Sequence, residues 1–270
     1  SEVLLQLGWH HPDRVALLTK TLFDRVTDGE GVEVVREGCI SVFTMLYLRS
    51  DHSLAREILF ELTKHPDLFF HENRYLLLHL KGTIDLGIAT RTLSPLQEAV
   101  RQRARNIIQQ LLQSLRLILL APKISEQAVH SDAEKKHAQN ALQLTDTLAL
   151  HICAASGAID DQHNRPLEER KRFLAELSWL LNALTEFGHP SVAHHLVKTL
   201  EMLIPADPAG VFLRIGKVVQ TSQTSGYQYE SLAVDLIVRI VERYLAEFRG
   251  VLRENEQCRT TLIELLDNFV

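Results

Sequence analysis

The chain has 270 residues, of which 46% are hydrophobic, so it is long enough to bury a sizeable core as one extended array or as two domains. Its net charge of −5 argues against a nucleic acid partner, because polyanion binding would then need a strong local basic stripe. Its apolar runs are far shorter than the ~18 residues of a membrane-spanning helix, and its first residues do not resemble a signal peptide. The sequence therefore predicts a cytoplasmic protein without a membrane partner.

The first half of the chain carries apolar residues at three- and four-residue spacing, which predicts amphipathic helices. Pro12 opens one of them, and its apolar face is predicted to hold Val15, Leu18 and Leu22. The next helix is predicted to bury Val35, Ile40, Phe43 and Leu46. The helices predicted in this half after Pro12 cover residues 32–48, 53–65, 72–90, 94–120 and 131–155.

The helix predicted from residue 94 has the clearest start signal in the chain. Ser94 can cap the helix, Pro95 suits its first turn, and Glu98 places a negative charge near the positive end of the helix dipole. Pro122 follows the last apolar residues of this segment and is predicted to end the helix.

The second half of the chain begins with its most polar segment, DDQHNR at residues 160–165, which predicts a long loop or a subdomain boundary. Helices are then predicted over 166–188, 190–203, 208–220, 231–248 and 255–270, with a flexible loop over 221–226. The sequence thus predicts an all-α chain of about ten helices. It divides into an N-terminal helical subdomain (1–159) and a C-terminal one (160–270), or forms one continuous array.

Two segments open in the same way. HPDRVALLTKTLFDRV from His11 and HPSVAHHLVKTLEML from His189 both start a helix with Pro after a polar turn, and both contain a Leu and a Lys-Thr-Leu triplet at matching positions. These hairpins resemble HEAT and armadillo repeats. The resemblance implies an irregular α-solenoid of antiparallel helical hairpins that binds other proteins. Such an array is similar to those beside NTPase or effector domains in large bacterial proteins, including signal-transducing ATPases of antiviral defence.

Both ends of the chain look like boundaries within a longer polypeptide. Ser1 stands where an initiator Met would be, and the helical pattern begins immediately after it. The chain stops at Val270, directly after an amphipathic run and without a cap. We therefore expect a fragment of a larger multidomain protein.

The densest positive segment is formed by Arg101, Arg103 and Arg105. Helical residues two apart point about 200° apart, so these arginines wrap around their helix and do not form one stripe. They are predicted to be a solvated or salt-bridged helix face, with contact to a polyanion as the alternative.

Two acidic patterns suggest metal chemistry and fall short of it. Asp160-Asp161 is similar to the start of the magnesium motif of all-α terpenoid synthases, but no further carboxylate follows at the required spacing. Glu134 and His137 form a Glu-x-x-His step of the kind found in di-iron bundles, but a second step is missing. Neither pattern predicts a metal ligand set.

Other catalytic and cofactor signatures are absent from the sequence. It has no HExxH, no GxxxxGK[ST], no GxGxxG and no nucleophile elbow. Its cysteines, Cys39, Cys153 and Cys258, lie more than a hundred residues apart without a CxxC pair, which predicts free buried thiols in a reducing compartment. We expect no catalytic residue, no metal and no cofactor.

The sequence thus favours a non-catalytic scaffold or sensor that binds a protein partner or a neighbouring domain of the same chain. Two alternatives stay open. One is an all-α enzyme or ligand carrier with a pocket between helices, and the other is a helical array that binds nucleic acid.

Overall fold

The structure, a computed structural model, describes residues 6–8, 10–27, 29, 31–85, 93–120, 131–158, 165–224, 242 and 245–267. These residues form helices and the turns between them, with no strand among them, which confirms the all-α prediction. The helices that have bounds in this part of the chain are α1 (Pro12–Arg25), α2 (Val32–Ser50), α3 (Ser53–Lys64), α4 (Phe70–Asp85), α5 (Pro95–Leu119), α6 (Asp132–Ser156), α7 (Leu167–Leu184), α8 (Pro190–Leu203), α9 (Pro208–Thr224), α10 (Leu245–Glu254) and α11 (Glu256–Asp267).

Backbone contacts divide the chain into two compact units. Unit 1 contains α1 to α5 and α6 up to Thr147, and unit 2 begins at Leu148 within the same helix. The polar segment at 160–164, where the sequence predicts a boundary, lies outside the described residues. The division at 159/160 and the solenoid arrangement therefore stay predictions.

Helix α2 is the centre of unit 1, because α1, α3, α4 and α5 all pack against it. Its buried residues lie around most of its circumference, which is typical of a helix enclosed by others. Phe43 is fully buried, and its ring meets that of Phe23 on α1 edge to face, with 6.1 Å between ring centroids. Tyr47 makes the same kind of contact with Phe60 on α3 at 6.0 Å. Aromatic pairs thus join two of the surrounding helices to α2.

A largely buried ion pair also joins the helices of unit 1. Arg36 on α2 donates from Nε to Glu72 Oε1 on α4 over 2.5 Å, and its guanidinium carbon lies 4.2 Å from the ring centroid of Phe23. A charge inside a protein is tolerated when it is paired and hydrogen-bonded. Glu72 and the Phe23 ring supply this environment, so Arg36 links α1, α2 and α4.

The ends of α2 and the start of α5 are defined by local backbone chemistry. Gly31 precedes α2 in the left-handed conformation (φ 82°), which favours glycine. Asp51 ends the helix with φ 55°, and its N–H donates to Tyr47 O over 2.9 Å. At the start of α5, Ser94 Oγ accepts from the N–H of Gln97, whose side chain accepts from the N–H of Ser94. The predicted start at Ser94 is confirmed, with Gln97 completing the capping box.

Unit 2 is built around α8 and α9. Helix α8 packs against α7 and α9, and α9 also packs against α10 and α11. Gly216 permits the close approach of α9 and α11, because a Cβ there would stand 2.3 Å from Thr261 Cγ2. Phe212 on α9 meets Phe248 on α10 edge to face, with 5.1 Å between centroids.

Three helix ends predicted from the sequence are wrong, and the first is that of α7, which ends at Leu184 and not at Gly188. Helix α9 continues to Thr224, past the predicted end at Gln220, and α10 runs through Phe248 and Gly250 to Glu254. Propensity is a weak signal that packing overrides, and α10 packs on both α9 and α11. The predicted continuation of α4 over 86–90 and the predicted helix start at 231 lie outside the described residues.

Candidate functional site

The most prominent feature of unit 1 is an exposed apolar face on α1, formed by Leu17, Leu18 and Leu22, which are 63%, 51% and 36% exposed. We call it the α1 face. The residues of α1 that are buried are Val15, Ala16 and Thr19. The prediction that Leu18 and Leu22 belong to the core is therefore wrong.

The side of α1 that packs against α2 carries Thr19 and Phe23 and not the leucines. Thr19 satisfies its own hydroxyl by donating to Val15 O over 2.7 Å, so it can be buried without an unsatisfied polar group. Phe23 lies on this side as well, against Phe43. The positions against α2 that periodicity predicts for Leu18 and Leu22 are thus occupied by Thr19 and Phe23.

The first turn of α2 also carries exposed apolar side chains. Val34 is 71% exposed and Val35 is 37% exposed. The prediction that Val35 lies in the core is also wrong, since the burial of α2 begins later, at Cys39. Scattered surface leucines need no explanation, but five large apolar side chains on one hairpin indicate a surface that another molecule can cover.

Unit 1 also contains a groove of about 500 Å³ between α2, α4 and the first turns of α5. We call it the unit-1 groove. Leu48 lies buried in it, and Leu96 lies at its rim with 59% of its surface exposed. Its principal lining residues are Met45, Leu48, Arg49, His79, Leu96 and Val100.

None of the described residues that line the unit-1 groove is a carboxylate, while Arg49 supplies a positive charge. Partial desolvation lowers the pKa of His79, although Glu37 opposes the shift. A pKa below the usual value leaves His79 neutral near pH 7. The groove is thus an apolar recess whose polar edge is neutral or cationic.

The three arginines of the predicted polyanion contact lie on α5 and take part in contacts within the protein. Arg101 Nη2 donates to both carboxylate oxygens of Glu98 over 2.9 and 2.8 Å. Arg103 Nη1 donates over 2.7 Å to the carbonyl of Leu48, in the last turn of α2, where a positive charge complements the helix dipole. Arg105 is half-buried. A polyanion contact by these arginines stays a prediction.

The residues of the di-iron-like step have structural partners. Glu134 caps the start of α6, where its carboxylate accepts from the N–H of Ser131 over 2.7 Å. His137 Nδ1 lies 3.1 Å from Asp67 Oδ2, and Asn140 donates to the carbonyl of Asp67. Within the described ranges, three or more His, Cys, Asp or Glu side chains do not come together in a cluster that could hold a metal ion. Asp160 and Asp161 lie outside these ranges.

The three cysteines are free and buried, as predicted. Burial raises the pKa of each thiol above its ordinary value. A neutral thiol is a poor nucleophile and a poor metal ligand. Cys39, Cys153 and Cys258 therefore act as small apolar side chains in the two units.

Unit 2 carries a second groove, with a volume of about 670 Å³, between the end of α7 and the facing sides of α9 and α11. We call it the unit-2 groove. Its lining is polar apart from Leu213, and the sequence offered no motif for it. The only signal was that polar residues recur at three- and four-residue spacing on two separate helices. Its principal lining residues are Asp207, Arg214, Lys217, Gln220, Thr260 and Glu264.

None of the described helices combines the length and the apolar character that crossing a membrane requires. Comparisons with protein-family models, with curated proteins and with solved structures found no match for this chain.

Proposed function

We propose that this chain is a non-catalytic docking module of a larger protein, and that the α1 face binds a protein partner or a neighbouring domain of the same polypeptide. The observation that carries the proposal is the exposure of Leu17, Leu18 and Leu22 on a helix whose opposite side is packed. Apolar surface removed from water stabilises a complex by about 25 cal/mol per Å². A leucine-rich face is therefore suited to protein contact.

The surroundings of the α1 face fit a protein partner better than a nucleic acid. Lys20 and Asp24 on the same helix form an ion pair, which offsets both charges near the face. Binding to a polyanion would require unopposed positive charge along the surface. The irregular solenoid and the HEAT-like or armadillo-like resemblance belong to this proposal, because stacked hairpins leave outer faces for docking. A cytoplasmic location belongs to it too, because the cysteines are free.

The proposal is tested by comparing partners bound by the wild-type chain with those bound by the double variant Leu18→Asp, Leu22→Asp. Affinity purification with quantitative mass spectrometry identifies the partner, and calorimetry with the purified partner measures its affinity. The matched control is Leu117→Asp on α5, which changes a leucine that is 71% exposed on another helix. We expect a partner that the wild type and the control bind and that the double variant loses.

Two results would contradict this proposal. One is a partner whose affinity is the same for the double variant and the wild type. The other is an equal loss of binding in Leu117→Asp, which would show that any added surface charge has the same effect. Circular dichroism of all three proteins must match, since a folding defect would also abolish binding.

The unit-1 groove favours one alternative, an all-α ligand carrier or enzyme that binds an apolar molecule between helices. Its apolar lining beside a neutral His79 is the observation in its favour. A fluorescent apolar probe tests this alternative, because Val100→Trp would fill the groove and abolish saturable binding of the probe. Nucleic acid binding is the second alternative, and it predicts an affinity that falls with salt and with alanine at Arg101, Arg103 and Arg105.

A further inference from the structure

The unit-2 groove is a polar recess whose two walls are helix faces. On α9 the lining residues recur at three- and four-residue spacing from Gly210 to Gln220, and on α11 from Gln257 to Glu264. Residues at this spacing lie on one side of a helix, so each wall is one helix face, which on α9 also includes Gly210 and Leu213. The volume of about 670 Å³ lies within the range of about 300–1,000 Å³ that is typical of small-molecule sites.

The carboxylates of the unit-2 groove already have partners inside it. Asp207 Oδ1 accepts from the N–H of Gly210 over 2.9 Å, and Asp207 Oδ2 lies 3.9 Å from Arg214 Nη1. Glu264 accepts from the side-chain amide of Gln220 over 2.7 Å. These donors satisfy acceptor sites of both carboxylates and hold them in place, although each carboxylate keeps its negative charge.

The cations of the groove are arranged differently. Arg214 donates from Nε to the amide oxygen of Asn182 over 2.7 Å, which orients its guanidinium along the wall of the groove. Lys217 lies three residues further along α9, on the same face. Its side chain is exposed and lines the groove. The groove therefore offers an oriented guanidinium, 3.9 Å from the Asp207 carboxylate, and the ammonium of Lys217 three residues away.

The floor of the groove is kept open by glycine. A Cβ at position 210 would stand 2.1 Å from Asp207 Oδ2, and one at 216 would meet Thr261. Gly210 thus lets the Asp207 carboxylate lie against the first turn of α9. Gly216 permits the close approach of α9 and α11.

We propose that the unit-2 groove binds a small organic phosphate with a hydroxylated body, with its phosphate on Arg214 and Lys217 and its hydroxyls on the polar side chains of α11. A phosphate monoester carries a charge of about −1.5 to −2 near pH 7, which suits two neighbouring cations. Arginine binds phosphate through its planar fork, and lysine binds it as a point charge. Thr260, Gln257 and the other polar groups of α11 can donate to and accept from hydroxyls.

This site is separate from the α1 face, which belongs to unit 1, so the inference goes beyond the proposed docking function. Calorimetry with the full chain at low ionic strength tests it, using glycerol 3-phosphate as the probe. Inorganic phosphate and glycerol serve as comparison ligands. We expect saturable binding of glycerol 3-phosphate, weaker binding of inorganic phosphate and no binding of glycerol.

Two variants locate the site. Lys217→Met removes the ammonium charge and should weaken the binding of glycerol 3-phosphate about tenfold, the effect of losing about 1.4 kcal/mol. Thr260→Phe fills the groove without changing charge and should abolish binding. The matched control is Lys198→Met on α8, an exposed lysine of the same unit that does not line the groove. Its affinity should equal that of the wild type.

The unfolding midpoint without ligand is measured for each variant, so a defect in folding is separated from a loss of binding. If Thr260→Phe does not fold, Lys217→Met alone decides the result, because its side chain is exposed. The proposal is overturned if glycerol 3-phosphate shows no saturable binding, if Lys217→Met binds it as tightly as the wild type, or if Lys198→Met loses as much affinity. Equal binding of inorganic phosphate and glycerol 3-phosphate would also overturn it.

Discussion

Replacing Phe43 by alanine tests the central position of α2 in unit 1. The Phe43 side chain is fully buried, and its ring contacts Phe23 on α1 edge to face. Truncation of a buried phenylalanine lowers the free energy of unfolding by about 3–5 kcal/mol, because transfer energy is lost and a cavity remains. An edge-to-face aromatic pair contributes about 0.5–1.5 kcal/mol beyond its buried area. We therefore expect Phe43→Ala to lower the free energy of unfolding by about 4 kcal/mol.

The measurement is urea denaturation followed by far-ultraviolet circular dichroism, with hydrogen exchange resolved to peptides of α2. Leu17→Ala is the matched control, since Leu17 is 63% exposed on α1. An exposed substitution of this kind changes the free energy of unfolding by at most about 0.5 kcal/mol. In Phe43→Ala we also expect faster amide exchange in α2, because the helices around it lose their shared contact.

A loss below about 1.5 kcal/mol for Phe43→Ala would refute this reasoning, because other large-to-small core changes cost more. So would a comparable loss in Leu17→Ala, which would mean that the α1 face is packed. Unchanged exchange in α2, despite a large loss of stability, would place the effect elsewhere in the chain.

Three further predictions follow from local contacts. Ser94→Ala removes the capping box of α5 and should lower the free energy of unfolding by about 1 kcal/mol in the same urea experiment, while Ser178→Ala on α7 should change it less. The native chain should resist a thiol reagent near pH 8, because burial raises the pKa of each cysteine, and all three thiols should react once urea unfolds it. Partial desolvation lowers the pKa of His79, so the unfolded chain binds the proton more tightly and stability falls as the pH drops through the unfolded pKa of about 6.5. His79→Gln should therefore lose less stability than the wild type between about pH 7.5 and pH 5.5.

Each of these has a clear contrary result. A Ser94→Ala protein as stable as the wild type would show that the cap adds nothing to α5. Rapid labelling of a native thiol would mean that one cysteine reaches solvent. Parallel stability curves for His79→Gln and the wild type would contradict the desolvation of His79. An imidazole that titrates above its ordinary pKa in an NMR experiment would contradict it too.

Helix starts were predictable because their causes are local. Helices α1, α5, α8 and α9 begin at the prolines that the sequence marks, Pro12, Pro95, Pro190 and Pro208. Proline lacks a backbone N–H and has a fixed φ, so it fits the first turn of a helix and disrupts the later turns. Such signals depend on a few adjacent residues and need no knowledge of the fold.

The candidate sites were not predictable in this way. Arg101, Arg103 and Arg105 stand out in the sequence because they are close together, yet Arg103 reaches a carbonyl of α2. The unit-2 groove draws on α7, α9 and α11, whose polar residues carry no motif. A groove exists only after separate helices meet, so its members cannot be recognised on any one of them.

The sequence by itself determined that this protein is helical and where most of its helices begin, because periodic apolar residues and prolines act over a few residues. Only the tertiary structure decided which side of α1 is buried. Leu22 and Leu200 occupy matching positions in the two similar segments, yet Leu22 is 36% exposed and Leu200 is fully buried. The difference lies in the neighbours, since α8 packs against helices on both sides while α1 places Thr19 and Phe23 against α2 and leaves its leucines to solvent.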